Sequence, residues 1–187
     1  VKEKITEQSI RLFEKKGFSE TSIQDIVDAN GVTKGTFYYY FSSKEQLLMD
    51  IQLRYINDLL EQQEKIMRDD AKNCKTKLYD MVHMLISNIK TQGASAKVFF
   101  REMRNLNEER LAEIIPKRDQ FRLTIEELIK EGIEKGEFRS DLNASIATFG
   151  ILGMANWSYQ WYNPEGDQSE EEVARMFTDM ILKGIEL

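Results

Sequence analysis

The chain has 187 residues, 41% hydrophobic and 31% charged, which suits one medium domain or a small head on a larger body and excludes a disordered chain. No apolar run approaches the roughly 18 residues of a membrane span, the opening VKEKITEQSI lacks an apolar signal core, and the single cysteine, Cys74, excludes an internal disulfide. A cytoplasmic protein with no membrane partner is expected. The formal net charge of −6 argues against a uniformly basic nucleic-acid binder, but from Ala29 to Lys44 there are two lysines and no acid.

Apolar residues recur at three and four spacing over most of the length and strand signals are nearly absent, so the expected fold is all-α, with about nine helices. A first helix runs from about Lys2 to Lys16 with Ile5, Ser9, Leu12 and Phe13 inward, and Gly17 ends it. Thr21 or Ser22 caps a short second helix carrying Ile23, Ile26 and Val27, which stops at Asn30-Gly31, a pair suited to a left-handed turn. Thr33 caps a third. Ser43, with Gln46 completing a capping box, opens a long fourth helix that reaches the Arg68-Asp70 region. Further segments are expected at Thr76 to Lys90, at Ala94 to Asn105, and from about Asn107 to Lys135 with an interruption at Pro116. The last two run from Asn143 to about Trp161 and from Ser169, in a capping box with Glu172, to about Ile185. This divides the chain into a three-helix head, residues 1–46, and a body for ligand binding and dimerisation, residues 47–187.

The head carries the informative motif. Two short helices joined by a tight glycine turn, the second rich in small polar and aromatic residues, form a helix-turn-helix pattern suited to the DNA major groove. In GVTKGTFYYYF, Gly31 to Phe41, the residues Phe37, Tyr40 and Phe41 fall on the core side with Val32. Thr33, Lys34, Gly35, Thr36, Tyr38 and Tyr39 lie on or near the open side. Tyr38 and Tyr39 can send hydroxyls to phosphates, Gly35 permits close backbone approach, and Thr36 offers a hydroxyl and a methyl. Lys44, at the start of the fourth helix, is placed for a further phosphate contact.

From Ile5 to about Leu48 the sequence resembles the TetR family of bacterial transcription regulators. The residues that carry the resemblance are Leu12-Phe13, Gly17-Phe18, Thr21-Ser22-Ile23, Ile26, the run Gly31 to Phe41, and Ser43-Lys44-Glu45 with Leu47-Leu48. The resemblance implies a homodimer whose two heads enter successive major grooves of double-stranded DNA at a pseudo-palindromic operator, usually to repress genes. It implies base-side contacts from Gln24, Lys34, Gly35 and Thr36, and phosphate contacts from Ser22, Tyr38, Tyr40 and Lys44. For Tyr40 this differs from the core assignment, and a ring turned inward with its hydroxyl outward satisfies both.

In the body, Ile146, Phe149, Gly150, Gly153, Met154, Trp157 and Trp161 form one stripe, and Val173, Met176, Phe177, Met180, Ile181 and Gly184 another. The small residues allow close helix approach, and an isologous four-helix contact through Phe149, Gly153, Trp157, Met176, Phe177 and Met180 is the expected dimer interface. The alternative is that both stripes face the monomer's own core. A small-molecule effector is implied by the family, and Met84, Phe99, Phe100, Met103, Trp157 and Tyr159 are the candidate lining. The segment Gly153 to Phe177 resembles regulators that respond to acyl-CoA thioesters, for which Arg101 and Arg104 would pair with nucleotide phosphates. The alternative effector is a lipophilic cation, with Glu126 or Glu102 as counter-charge.

With one histidine, His83, one cysteine and no glycine-rich phosphate loop, no metal cluster or nucleophilic triad can be assembled, so neither an enzyme nor a cofactor or metal is expected. A helical lipid or acyl-CoA carrier is the remaining alternative, and it would leave the Lys34 to Lys44 surface without a task.

Overall fold

The computed structural model describes residues 1–185, and among them the regular structure is entirely helical. In chain order the elements are α1 (Lys2–Lys16), α2 (Ile23–Asn30), α3 (Lys34–Tyr40), α4 (Lys44–Met67), α5 (Cys74–Glu102), a 3-10 turn (Met103–Asn105), α6 (Glu108–Glu134), α7 (Ala144–Trp161) and α8 (Glu170–Ile185). The all-α expectation holds.

Two expected breaks are absent. Helix α5 passes through Gly93, where two separate segments were expected. A mid-helix glycine costs only about 1 kcal/mol relative to alanine, and with neither a proline nor a capping side chain beside it the helix continues. Helix α6 likewise passes through Pro116. The carbonyl left without an N–H partner is that of Ala112, and both residues are exposed, so water reaches it.

Most helix starts follow local chemistry. The Ser22 hydroxyl accepts the Asp25 N–H at 3.1 Å, and Asp25 accepts the Ser22 N–H at 2.7 Å, a closed capping box. Thr21 is instead buried, its hydroxyl donating to the Gly17 carbonyl at 2.7 Å. Asn143 caps α7, and Ser169 with Glu172 forms the expected box on α8. At α4 only half of the expected box forms: Ser43 accepts the Gln46 N–H, but the Gln46 side chain turns forward to Asp50 at 2.9 Å. Gly31 sits at φ 64°, ψ 37°, a left-handed conformation that a side chain would strain, and this makes the turn into α3.

The chain forms two compact units: Val1–Asn57 with Ala94–Pro116, and Asp58–Gly93 with Lys117–Leu187. In the first, Ile5, Phe13, Phe18, Ile26, Val27, Phe37, Phe41, Leu47 and Leu48 are buried. Phe13 meets Phe18 edge-on at 5.3 Å, Tyr55 packs on Phe99 at 5.0 Å, and the Gln52 amide donates to the carbonyls of Val98 and Phe99. In the second, Leu78, Val82, Ile125, Leu128, Ile129 and Phe138 are buried, and α7 packs on α8. The Phe138 ring lies against the backbone of Gly132, where an added Cβ would fall 2.3 Å from two ring carbons.

Candidate nucleic-acid interface

The aromatic run Phe37 to Phe41 splits as its helical spacing demands. Phe37 and Phe41 are buried, at 0% and 1% exposure, with ring centroids 5.6 Å apart. Tyr38 and Tyr39 are 53% and 80% exposed, and Tyr40 is half-buried, its ring edge-on to Tyr39 at 4.9 Å. Lys34 and Gly35 are exposed and Thr36 is half-buried. The Thr33 hydroxyl accepts the Thr36 N–H at 3.1 Å and lies 3.1 Å from the Thr36 hydroxyl, so this pair builds the helix start as well as facing outward. A Cβ on Gly35 would meet only the Thr33 hydroxyl oxygen, at 3.5 Å, an ordinary contact. The chain's own packing therefore does not require glycine there.

The expected phosphate and base contacts at the edges of this face already have intramolecular partners. The Ser22 hydroxyl donates to Asp25 at 2.8 Å, and Gln24 donates to Asp28 at 2.8 Å. Hydrogen bonds from the Ser22 backbone and hydroxyl, then from Lys16, hold the Asp25 carboxyl down at about 2. The Lys44 ammonium donates to the carbonyls of Phe18 and Thr21, both at 2.8 Å, and lies 4.3 Å from the Phe18 ring centroid. Two of its three N–H donors thus fasten the loop between α1 and α2 to the start of α4.

One cluster in the first unit was not legible in the sequence. Glu102 is 3% exposed and accepts the Phe18 N–H at 3.3 Å, the Arg101 Nε–H at 2.7 Å and the Asn105 amide at 2.7 Å. Arg101 also donates to the carbonyls of Phe13 and Glu14 at the end of α1, and Lys97 pairs with Glu14 at 3.0 Å. The end of α5 therefore caps α1 and holds the loop that leads into α2. The partners in α1 and the following loop lie more than eighty positions away, and the sequence reading of this segment as ligand contacts, with Arg101, Arg104 and Glu102 as its charges, does not reveal them.

The residues expected to line a ligand cavity fall in both units. In the second, Met84 is buried at 7% exposure and Tyr159 is half-buried, while Trp157 is 62% exposed. In the first, Phe99 is core, Phe100 meets it edge-on at 5.3 Å, and Met103 is half-buried in the 3-10 turn. Arg104 is exposed and, with Lys15, Lys16 and Arg101, borders a cleft of about 340 Å³. The Glu126 carboxylate is held below its ordinary range by a hydrogen bond from Lys130, at 2.7 Å, and by the charges of Lys130 and Arg122. Burial raises the Cys74 thiol to about 11, aided by Glu137 and Glu131, which leaves it poorly nucleophilic.

The stripe on α7 and α8 is largely open. Ile146, Phe149, Trp157, Trp161, Met176 and Met180 are between 49% and 71% exposed, Gly153 is exposed, and Phe177 is half-buried with its ring 6.0 Å from Trp161. Val173 and Ile181, expected in the same stripe, are buried, so α8 divides its apolar residues between two faces. A Cβ at Gly150, Gly153 or Gly184 would meet nothing within 4 Å. No helix among the described residues is long and apolar enough to cross a membrane.

Comparison with known proteins fits this arrangement. Residues 5–51 match the family of bacterial regulatory proteins of the tetR type, and residues 71–185 match the tetracyclin repressor-like C-terminal domain. The HTH-type transcriptional repressor KstR2 of Rhodococcus jostii strain RHA1 is 27% identical over 93% of this chain and 85% of its own. The ketosteroid transcriptional regulator KstR2 of Mycobacterium tuberculosis superposes with a TM-score of 0.92 at 24% identity, covering 100% of this chain and 95% of that one. AibR, solved in complex with isovaleryl coenzyme A and operator DNA, superposes with a TM-score of 0.85 at 27% identity over 96% of both chains. A helix-turn-helix start and a tetracyclin repressor-like remainder together cover most of the sequence, and the chain belongs to the TetR family of bacterial transcription regulators.

Proposed function

We propose that this chain is a repressor that binds a pseudo-palindromic duplex as a homodimer and leaves it when an acyl-CoA thioester binds. The observation that carries the DNA part is the face of α3: Lys34, Gly35, Tyr38 and Tyr39 are exposed together in a stretch without an acid. Lys34, Gly35 and Thr36, with Gln24, read base edges. Tyr38, Tyr39 and Tyr40 send hydroxyls to phosphates, and Ser22, Thr33 and Lys44 complete the flank. Residues 1–46 carry this task, and residues 47–187 carry ligand binding and dimerisation. Phe149, Gly153, Trp157, Met176, Phe177 and Met180 form the self-complementary contact, supported by glycines whose missing side chains nothing in the chain replaces.

The effector assignment is supported by AibR, which was solved with isovaleryl coenzyme A. It is also favoured over a lipophilic cation by the two expected counter-charges, since Glu126 is paired with Lys130 and Arg122, and Glu102 with Arg101. Met84 and Tyr159 are the proposed apolar contacts in the second unit. In the first unit, Arg101 already donates to the carbonyls of Phe13 and Glu14 and would have to exchange them to meet a phosphate. The thioester releases DNA only if it binds the DNA-incompetent state more tightly.

The test starts with a duplex enriched from a random pool by the protein itself. Fluorescence anisotropy then follows its release by acyl-CoA thioesters of increasing chain length and, in parallel, by lipophilic cations. Thermal stability is read alongside, because a ligand at about 100 times its dissociation constant adds roughly 2.7 kcal/mol. Release by thioesters alone supports the proposal. Failure to enrich any duplex overturns the DNA part, and release by cations alone overturns the effector.

A further inference from the structure

Among the described residues, several buried side-chain polar atoms have no hydrogen-bond partner in the chain, and only two of them share a helix: Asn88 Nδ2 and Gln92 Oε1, both on α5 in the second unit. The spacing of Met81, Leu85, Asn88 and Gln92, four, three and four residues apart, puts both amides on one face of α5. Met81, Met84 and Leu85 on that face are buried, at 1%, 7% and 7% exposure. Asn88 and Gln92 are themselves half-buried, with these two atoms turned away from solvent, and a buried polar atom left unpaired lowers stability. Two such amides one turn apart are costly unless something outside the chain pairs with them.

The geometry points to Asn88 and Gln92 as the polar readers of the effector, pairing with a secondary amide of the kind found in the pantetheine arm of coenzyme A. The two side chains offer one N–H donor and one carbonyl acceptor about 6 Å apart along the helix. A trans secondary amide sends its own carbonyl and N–H to opposite sides, so it bridges two such partners and satisfies both. Turning both carboxamides over exchanges donor for acceptor at each position and keeps the match, whereas turning one alone would present two donors or two acceptors, which a single secondary amide does not satisfy. A simple carboxylate presents only acceptors and a quaternary ammonium group presents neither an N–H donor nor an acceptor, so neither completes the pair. This inference rests on the proposal that the effector is an acyl-CoA, and it names the part of the molecule that the protein recognises by hydrogen bonding.

The test uses the full chain with Asn88→Leu and Gln92→Met, singly and together, which keep shape and remove the unpaired atoms. Two probes share one acyl chain: the S-acyl pantetheine, which carries the amides, and the S-ethyl thioester, which carries none. The wild type is expected to bind the pantetheine thioester roughly tenfold more tightly than the S-ethyl thioester, and the double variant to lose that preference. The ligand-free double variant should melt at the same temperature as the wild type or higher, since removing unpaired buried polar atoms in favour of apolar groups is neutral or stabilising. A lower melting temperature with the preference intact assigns the amides a structural task, such as holding a water, and overturns the inference. An unchanged preference at any melting temperature does the same. If the wild type binds acyl-CoA but neither short probe differs from the other, the amide readers are wrong and the effector stands. If the wild type binds no acyl-CoA, the effector assignment falls with them.

Discussion

Tyr38 and Tyr39 on α3 and Trp157 and Trp161 on α7 are four rings left largely in the open, at 53%, 80%, 62% and 51% exposure, but their neighbours differ. Around the tyrosines lie Lys34, Thr36 and the exposed Gly35, and no acid occurs from Ala29 to Lys44. The tryptophans share their stripe with Phe149, Ile146, Met176 and Met180, with glycines at 150 and 153 and no lysine or arginine in α7, and a cation that meets it, Arg122 of α6, lies over the Phe149 ring at 5.2 Å. Tyrosine carries a polar tip and suits a wet, anionic partner, whereas an apolar stripe with small residues beside large rings suits a dry surface of similar make-up. Exposure of aromatic rings alone therefore says little about the partner, and the residues between the rings decide it.

The strongest way to break this contrast is Trp157→Asp. A charge at the centre of a dry self-contact should remove about 3 kcal/mol or more of association, turning a dimer into a monomer by analytical ultracentrifugation while the helical circular dichroism is kept. Operator affinity should fall with it, because two linked heads bind one site far more tightly than one. A variant that stays dimeric places the self-contact elsewhere.

A second pair of substitutions separates glycines that the fold needs from glycines that a partner needs. Gly132→Ala puts a Cβ 2.3 Å from the buried Phe138 ring and should lower unfolding stability by about 2 kcal/mol in urea, with no direct effect on association. Gly153→Ala meets nothing in its own chain, so monomer stability should stay within about 0.5 kcal/mol while the dimer weakens. Equal stability losses in both variants would mean that α7 packs more tightly within the chain than its open glycines indicate.

How much of this could be read from the sequence depends on how local the cause is. The Ser22–Asp25 and Ser169–Glu172 boxes, the Thr33 and Asn143 caps and the Gly31 turn are fixed by residues within four positions, and the division of Phe37 to Phe41 follows from helical spacing. The continuity of α5 through Gly93 and of α6 through Pro116 was not legible, because one poor helix former does not stop a helix that packing supports along its length. In sequence Trp157 fits both a cavity and an interface, since an apolar stripe does not say which side of it is covered. The Glu102 cluster was hidden for a third reason: in sequence Glu102 suits a counter-charge for a cationic ligand, and nothing local shows that residues more than eighty positions earlier close over it.

On the tyrosine side of the contrast the effects are smaller. Tyr38→Phe keeps the ring and removes one hydroxyl, which should weaken operator binding by about 1 kcal/mol without changing which duplex is preferred. Lys34→Ala should also relax preference at the base it reads. If Lys34 neutralises a phosphate as well, the slope of log affinity against log salt falls by about 1. An unchanged affinity in Tyr38→Phe would leave Tyr38 as an exposed ring with no role at the duplex.

The smallest effect lies in the two capping boxes. Asp25 at α2 and Glu172 at α8 both take hydrogen bonds from a serine backbone and hydroxyl, and both carboxyls are lowered, Asp25 to about 2 from an ordinary 3.8. A carboxyl depressed in the folded state contributes stability that is present above its unfolded value and lost as pH falls through the folded one. The Asp25 contribution should thus be complete above about pH 5 and fade toward pH 2. Only Asp25 is also paired with a lysine from another helix, Lys16, at 3.0 Å. Lys16→Met should therefore raise the Asp25 value, read by NMR of its side-chain carboxyl carbon, and leave Glu172 where it was. Ser22→Ala should raise Asp25 only part of the way, because the backbone N–H of residue 22 still donates. If Lys16→Met moves both carboxyls alike, the cause is net charge felt across the molecule, and the contact between α1 and α2 is not what holds Asp25 ionised.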